Sequence, residues 1–319
     1  MKNSQTTTLP EYLRDEYPFA SHRHALRDLS MHYLDEGTGS PVLMLHGNPS
    51  WSFYYRNLVS VLKENHRCIV PDHIGCGLSD KPDDRHYNYT LTRRVQDLES
   101  LIESLALDSP FHLVMHDWGG MIGMRYAVTH PEQIRSLVVL NTAAFPLPES
   151  KPFPWALWLC RNTRLGALLV RGGNAFSRGA AWVGCKRTRM PRKLRDAYCY
   201  PYNTWGNRIA TLRFVQDIPL RLDDPGYELV SDTAANLSLF RQYPMLIGWG
   251  LKDFVFDKHF LKEWRRRFPD AEQHVYNDAG HYVLEDARDT LIPAITSFIH
   301  RADAGATSDI SSTQEGDIV

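Results

Sequence analysis

Short apolar runs alternate with amphipathic segments over residues 31–140, and this rhythm constrains the fold more than any other feature of the sequence. Residues 31–36 (MHYLDE) alternate like a strand. Residues 42–45 (VLML) are a short continuous apolar run, and 68–70, 111–115 and 134–140 read as further strands. Between them, 53–62, 91–107 and 118–129 carry apolar residues at helical spacing. Strands separated by helices predict a mostly parallel sheet covered by helices on both faces. The rhythm stops after Asn141 and returns with a strand at 244–249, a helix at 259–268, a strand at 273–276 and a helix at 289–299. The interval is rich in Trp, Tyr, Arg and Pro and has no strand-like run. The expected organisation is therefore an α/β core (1–143), an inserted helical cap (144–230), a second core part (231–301) and a polar, acidic, disordered tail (302–319).

The segment His116-Asp117-Trp118-Gly119-Gly120 ends a strand and opens a helix. That is the setting of a nucleophile elbow, a tight turn that lifts one side chain above the sheet edge, with small residues letting helix and strand approach. The apex residue is Asp117. A carboxylate is already ionised at neutral pH, so it needs no general base before attacking carbon. An aspartate ahead of a helix is otherwise an ordinary N-cap, but here the strand, the two glycines and the partners below favour the nucleophile.

Those partners sit where loops leave parallel strands, the edge that lines an active crevice. His281, in Asp278-Ala279-Gly280-His281-Tyr282, follows the last strand and is placed as a base. Asp253 follows the 244–249 strand and would orient that imidazole. The rival acid position, after 134–140, holds Asn141 and Thr142, and Glu149 is a weaker candidate. His46-Gly47-Asn48-Pro49 follows 42–45. Asn48 and Trp118 offer backbone and side-chain N–H groups that could hold an anion, while His46 reads as a buried loop histidine. The Gly-rich segment 71–82 lacks a Walker lysine or a dinucleotide fingerprint and reads as structural.

The motifs HGNPSWSFYYRN, PDHIGCGLSDKP, VMHDWGG and DAGHY resemble the haloalkane dehalogenase-like branch of the α/β-hydrolase superfamily, over roughly residues 30–300. The resemblance implies the α/β-hydrolase fold. It makes Asp117, Asp253 and His281 nucleophile, acid and base, and Asn48 with Trp118 the anion-binding pair. The cap stretch YNTWGNRIATLRFVQDIPL (202–220) is similar to the β-lactone decarboxylases of bacterial long-chain olefin biosynthesis. That similarity implies a cis-3,4-dialkyl-oxetan-2-one substrate, cis-alkene and carbon dioxide as products, no cofactor or metal, and a β-lactone synthetase as partner in a larger assembly. Asp117 would attack either the ring carbon bearing oxygen or the carbonyl, and His281 would protonate a leaving oxygen or only tune Asp117. Residues 152–159 and 165–170 would wall the alkyl chains. Arg208 would pair with the substrate carboxylate, ahead of Arg189 and Arg213. The rivals are a haloalkane dehalogenase, an epoxide hydrolase drawing on Tyr198, Tyr200 or Tyr202, and a non-catalytic binding protein on the same fold.

Composition excludes other classes. The chain carries 36 basic against 37 acidic side chains, so no global field draws nucleic acid or an anionic membrane. No apolar run approaches the roughly 18 residues of a membrane span, and the first residues lack the apolar core of a secretory signal. Five scattered cysteines (68, 76, 160, 185, 199) form no metal-binding pattern and point to reduced thiols in a cytoplasmic protein. Cys76, in the Gly-rich turn, is the one candidate for reactivity.

Overall fold

The computed structural model describes residues 9–314. Eight strands, β1 (His22–Leu26), β2 (Leu29–Glu36), β3 (Ser40–Leu45), β4 (His66–Pro71), β5 (Phe111–Asp117), β6 (Ile134–Thr142), β7 (Met245–Gly250) and β8 (Glu272–Tyr276), form one sheet. Its order is β1-β2-β4-β3-β5-β6-β7-β8. The first two pairings are antiparallel and every pairing from β4 to β8 is parallel.

Strand alternation divides the core in two. Leu43, Leu45, Leu113, Met115, Leu137 and Val139 point to one face and pack on helices Leu91–Leu105 and Trp118–Thr129. Val42, Met44, Val114, Val138 and Leu140 point to the other and meet helix Arg56–Leu62 and the start of helix Arg288–Gln314. Burial on both faces explains why the middle of each of these strands is apolar on consecutive residues. β5 is buried along its whole length, so its C-terminal end is a rigid platform.

Between β6 and β7 the chain forms helices and loops only, beginning with Trp155–Asn162, Arg164–Gly173 and Ala175–Val183 and ending with Tyr227–Asn236. Two boundaries differ from the sequence expectation. Residue 231 falls inside helix Tyr227–Asn236, whose Val230 and Ala234 join the cluster of Met121 and Ile122. The final helix does not stop at 301 but runs to Gln314; residues 315–319 of the expected disordered tail, like 1–8, lie outside the described residues.

Asp303 gives the reason. Its carboxylate accepts from Ser40 Oγ (2.9 Å) and Arg135 (2.6 Å) and meets Nε2 of His112 and of His66, each at 3.1 Å. Burial opposes the charge, but His112, Arg135 and Ser40 outweigh it and hold the carboxyl well below its ordinary range. Among the described residues, His66, His112 and Asp303 are a trio close enough to share a metal ion. The Arg135 guanidinium already on that carboxylate makes it an ionic anchor, at the end of the strands away from Asp117.

Asp303→Asn is expected to lower unfolding stability by about 2 kcal/mol, seen as a lower denaturant midpoint at unchanged slope. Because the folded carboxyl titrates below the ordinary 3.8, its contribution is full above that pH and fades as pH falls further. A variant as stable as wild type at pH 7 would contradict the anchor.

Candidate active site

Asp117 closes β5 and precedes helix Trp118–Thr129 with φ +53°, a conformation that costs a non-glycine residue about 1–3 kcal/mol and persists only when its surroundings impose it. They do so here. The Asp117 carbonyl accepts from Thr142 Oγ1. A Cβ on Gly119 would lie 2.0 Å from the Leu45 carbonyl oxygen, so only glycine lets the helix start this close to β3. A Cβ on Gly47 would strike Asp117 Oδ1 at the same 2.0 Å, so the 46–48 backbone can pass directly over the carboxylate.

That approach sets the central contact. Asp117 Oδ1 accepts the Asn48 N–H at 2.6 Å, and the carboxylate also receives the Trp118 N–H. Two backbone donors thus hold the Asp117 carboxylate itself, and Oδ2 faces His281 Nε2 at 3.8 Å. His281 Nδ1 bonds Asp253 Oδ2 at 2.8 Å. The structure therefore brings Asp117, His281 and Asp253 together, all at least nine-tenths buried.

Two supports went unrecognised in the sequence. Asn141, at the rival acid position, donates through Nδ2 to Asp253 Oδ2 (3.1 Å) and to the Gly250 carbonyl (3.0 Å), and accepts the Gly250 N–H (2.8 Å). It clamps the loop that carries the acid. His116, one residue before the nucleophile, donates from Nε2 to the His281 carbonyl at 2.9 Å and stacks on Tyr54. Burial keeps His116 well below its ordinary pKa, hence neutral. The signal for Asn141 was its place at the end of a parallel strand; nothing local marks His116.

Burial pushes the Asp117 carboxyl up, more than the His281 charge and the two N–H groups pull it down. Burial works against the imidazolium of His281, but Asp253 and Asp117 outweigh it and the net shift is upward.

Asn48 and Trp118 flank Asp117. Asn48 Nδ2 donates to the Thr211 carbonyl at 3.1 Å, linking the loop to the cap, and its buried Oδ1 has no partner. The Trp118 ring meets Phe214 edge-on at 5.2 Å. Over Phe214, at 3.7 Å, lies the guanidinium of Arg94, fully buried and paired with Asp217 at 3.0 Å, with Nε and Nη2 unpartnered. Burial pushes Asp217 up to about 6, against the pull of Arg94.

The three cap arginines lie elsewhere. Arg208, expected to hold a substrate carboxylate, donates instead to the carbonyls of Tyr202, Arg171, Gly172 and Asn203. Its guanidinium is consumed in stitching the cap together. Arg213 pairs with Asp84 and Arg189 lies over Trp182. Tyr198 donates to Glu285 and Tyr202 to the Ser50 carbonyl, so neither hydroxyl is poised to open an epoxide. Glu149 is exposed. Cys76 is buried, which pushes its thiol up to about 12 and makes it inert at neutral pH. His46 is a neutral loop residue, bonded to the Gly47 carbonyl and the His73 N–H.

Beside Trp118, the residue after Asp117, an apolar cavity of about 70 Å³ is bounded by Trp118, Met121 and Phe256 of the core and by Phe153, Leu157 and Ile218 of the cap. The 152–159 segment supplies a wall as expected. The 165–170 segment does not, because Leu165, Leu168 and Leu169 turn outward.

Comparison with known proteins agrees with this geometry. Residues 40–287 match the family model described as alpha/beta hydrolase fold. The chain belongs to the alpha/beta hydrolase fold family. It is 59% identical over 290 residues to the cis-3-alkyl-4-alkyloxetan-2-one decarboxylase of Shewanella oneidensis, covering 91% of each chain. With the decarboxylase of the same name from Xanthomonas campestris it shares 51% over 293 residues, covering 89% of this chain and 97% of that one. The crystal structure of the haloalkane dehalogenase DbeA from Bradyrhizobium elkani superposes with a TM-score of 0.79 at 25% identity, over 90% of this chain and 99% of that one. This family member is an enzyme of the haloalkane dehalogenase-like branch, and its sequence stands much nearer to the two decarboxylases than to the dehalogenase.

Since Asp117 must be ionised to attack, the acid limb of kcat/KM is expected above the ordinary carboxylate value of 3.8. A limb at or below 3.8 in wild type would contradict this electrostatic account.

Proposed function

We propose that the chain is a lyase that converts cis-3,4-dialkyl-oxetan-2-ones into cis-alkenes and carbon dioxide in long-chain olefin biosynthesis, with Asp117 as nucleophile. Oδ2 attacks C4, the ring carbon bonded to oxygen, from the face opposite that oxygen. The C4–O bond breaks and its electron pair stays on oxygen. The ring opens to an alkyl ester of Asp117 with a free carboxylate on C3. The bond from C3 to that carboxylate then breaks, its electrons become the C3–C4 double bond, and the C4–Oδ2 pair returns to Asp117 as carbon dioxide leaves. Inversion at C4 followed by anti elimination retains the cis relationship. The sequence is redox-neutral and consumes no water and no cofactor.

The observation that carries this route is the occupied amide pair. The Asn48 N–H binds Asp117 Oδ1 and the Trp118 N–H also serves the Asp117 carboxylate, so attack on the carbonyl would leave its developing oxyanion without the two donors it needs. The same grip aims Oδ2 at saturated carbon. The freed carboxylate finds the second N–H of the Asn48 amide and the Trp118 indole, with the positive charge of Arg94 5.5 Å from that ring. His281, its pKa raised, favours the imidazolium and so helps expel Asp117 as a carboxylate instead of activating water. The apolar cavity keeps water from the ester. A strained lactone has to come from an enzyme that closes the ring, so a β-lactone synthetase is the expected partner. Five free cysteines, three of them buried, suit a cytoplasmic setting.

With a cis-β-lactone labelled with oxygen-18 in the ring, wild type is expected to put the label into carbon dioxide. Asp117→Asn should form alkene roughly 10⁴-fold more slowly or not at all. Hydroxy acid as main product would mean hydrolysis and would sink the decarboxylase reading. Label absent from carbon dioxide would sink attack at C4.

A further inference from the structure

The outward turn of the leucines in helix Arg164–Gly173 has no counterpart in the chemistry above. Leu165, Leu168 and Leu169 recur at the spacing of one helical face, and an apolar face of this kind ordinarily points to the core. Here their exposures are 57%, 55% and 41%. The preceding helix, Trp155–Asn162, packs closely at Gly166, where a Cβ would meet the Leu159 carbonyl at 2.1 Å. It adds Trp155 and Trp158, 79% and 53% exposed. Trp205 extends the patch, lying beside Gly172 together with Leu168. Isolated exposed leucines are ordinary, but exposed tryptophans and leucines gathered on two adjoining helices mark something that covers them.

Charge says what covers it. The whole chain is nearly neutral, yet residues 151–216 hold 13 Lys and Arg against one acidic residue, Asp196. Residues 155–173 contain Arg161, Arg164 and Arg171 and no Asp or Glu. Arg161 is spent on Asp224, whereas Arg164 is exposed and Arg171 lies over the Trp205 ring at 4.7 Å. Tryptophan and leucine flanked by arginine is the composition of an element that lies in the headgroup region of an anionic bilayer. The inner side of the same helix, through Leu157, walls the cavity beside Trp118. We propose that this cap face docks the protein on an anionic phospholipid surface, with the helix Trp155–Asn162 lying between bilayer and active site. The placement goes beyond the reaction assigned above, and its readout does not depend on that reaction. No helix among the described residues is long and apolar enough to cross a membrane, so the contact is peripheral.

The test is flotation of the full chain with vesicles of phosphatidylcholine alone or mixed with phosphatidylglycerol. Wild type is expected to float with the mixed vesicles, at least tenfold more than with phosphatidylcholine, and to be released as salt shortens the screening length. Arg164→Gln should weaken binding roughly fivefold. The pair Trp158→Ser with Leu168→Ser should abolish it, with circular dichroism and turnover of a soluble short-chain lactone reporting an intact fold. Wild type that stays out of mixed vesicles, or that binds both vesicle types equally, overturns the proposal. So does a double variant that still floats but loses a self-association seen by light scattering, which would make the face a protein interface.

Discussion

Two backbone N–H groups holding the Asp117 carboxylate, that of Asn48 on Oδ1, are the contact on which the rest depends. In most elbows such donors wait for an oxyanion that develops on the substrate. Here they are filled by the Asp117 carboxylate, at 2.6 Å from the Asn48 nitrogen and by the amide of Trp118. The consequence is geometric and electrostatic at once. One carboxylate oxygen is immobilised and the other faces the His281 imidazole. The charge is held in a low-dielectric site that would otherwise favour protonation. The glycines at 47 and 119 exist to permit that contact, since a side chain at either would push the loop or the helix away from the strand end.

The opposite side of the site is a polar network inside an apolar shell, and its members are mutually fixed. Asn141 holds Asp253, Asp253 holds His281, and His116 holds the His281 carbonyl. Each buried group is costly alone and is tolerated because the next one bonds it. His281 stands 3.8 Å from Asp117 Oδ2, beyond hydrogen-bond reach, so it acts on the nucleophile through charge. This arrangement suits a cycle in which Asp117 leaves as a carboxylate. It also separates the reaction from hydrolysis on the same scaffold, where the imidazole would have to be a neutral base.

The sheet and the elbow were legible because their signals are local: short apolar runs, a double glycine, residues that follow strand ends. β1 was not, because a polar edge strand (HRHAL) with one buried residue carries no such run. The long final helix was missed because Asp303 is anchored by His66, His112 and Arg135, partners more than 160 residues away. Arg208 was chosen for the stretch that contains it, but an arginine's role is set by what surrounds its guanidinium, here four carbonyls of the cap. Arg94 lay unremarked in an ordinary amphipathic helix. Only packing shows it buried beneath Phe214 and Trp118. The apolar composition of 165–170 suggested a wall for alkyl chains, but composition does not say which way Leu165, Leu168 and Leu169 point, and they point outward.

Rapid acid quench of wild type mixed with a long-chain cis-β-lactone, followed by peptide mass mapping, tests the central claim most directly. Ring opening loses no atoms, so the account predicts a transient adduct of the full lactone mass on the peptide containing Asp117. Turnover with no adduct at that residue, or an adduct on another side chain, would contradict it.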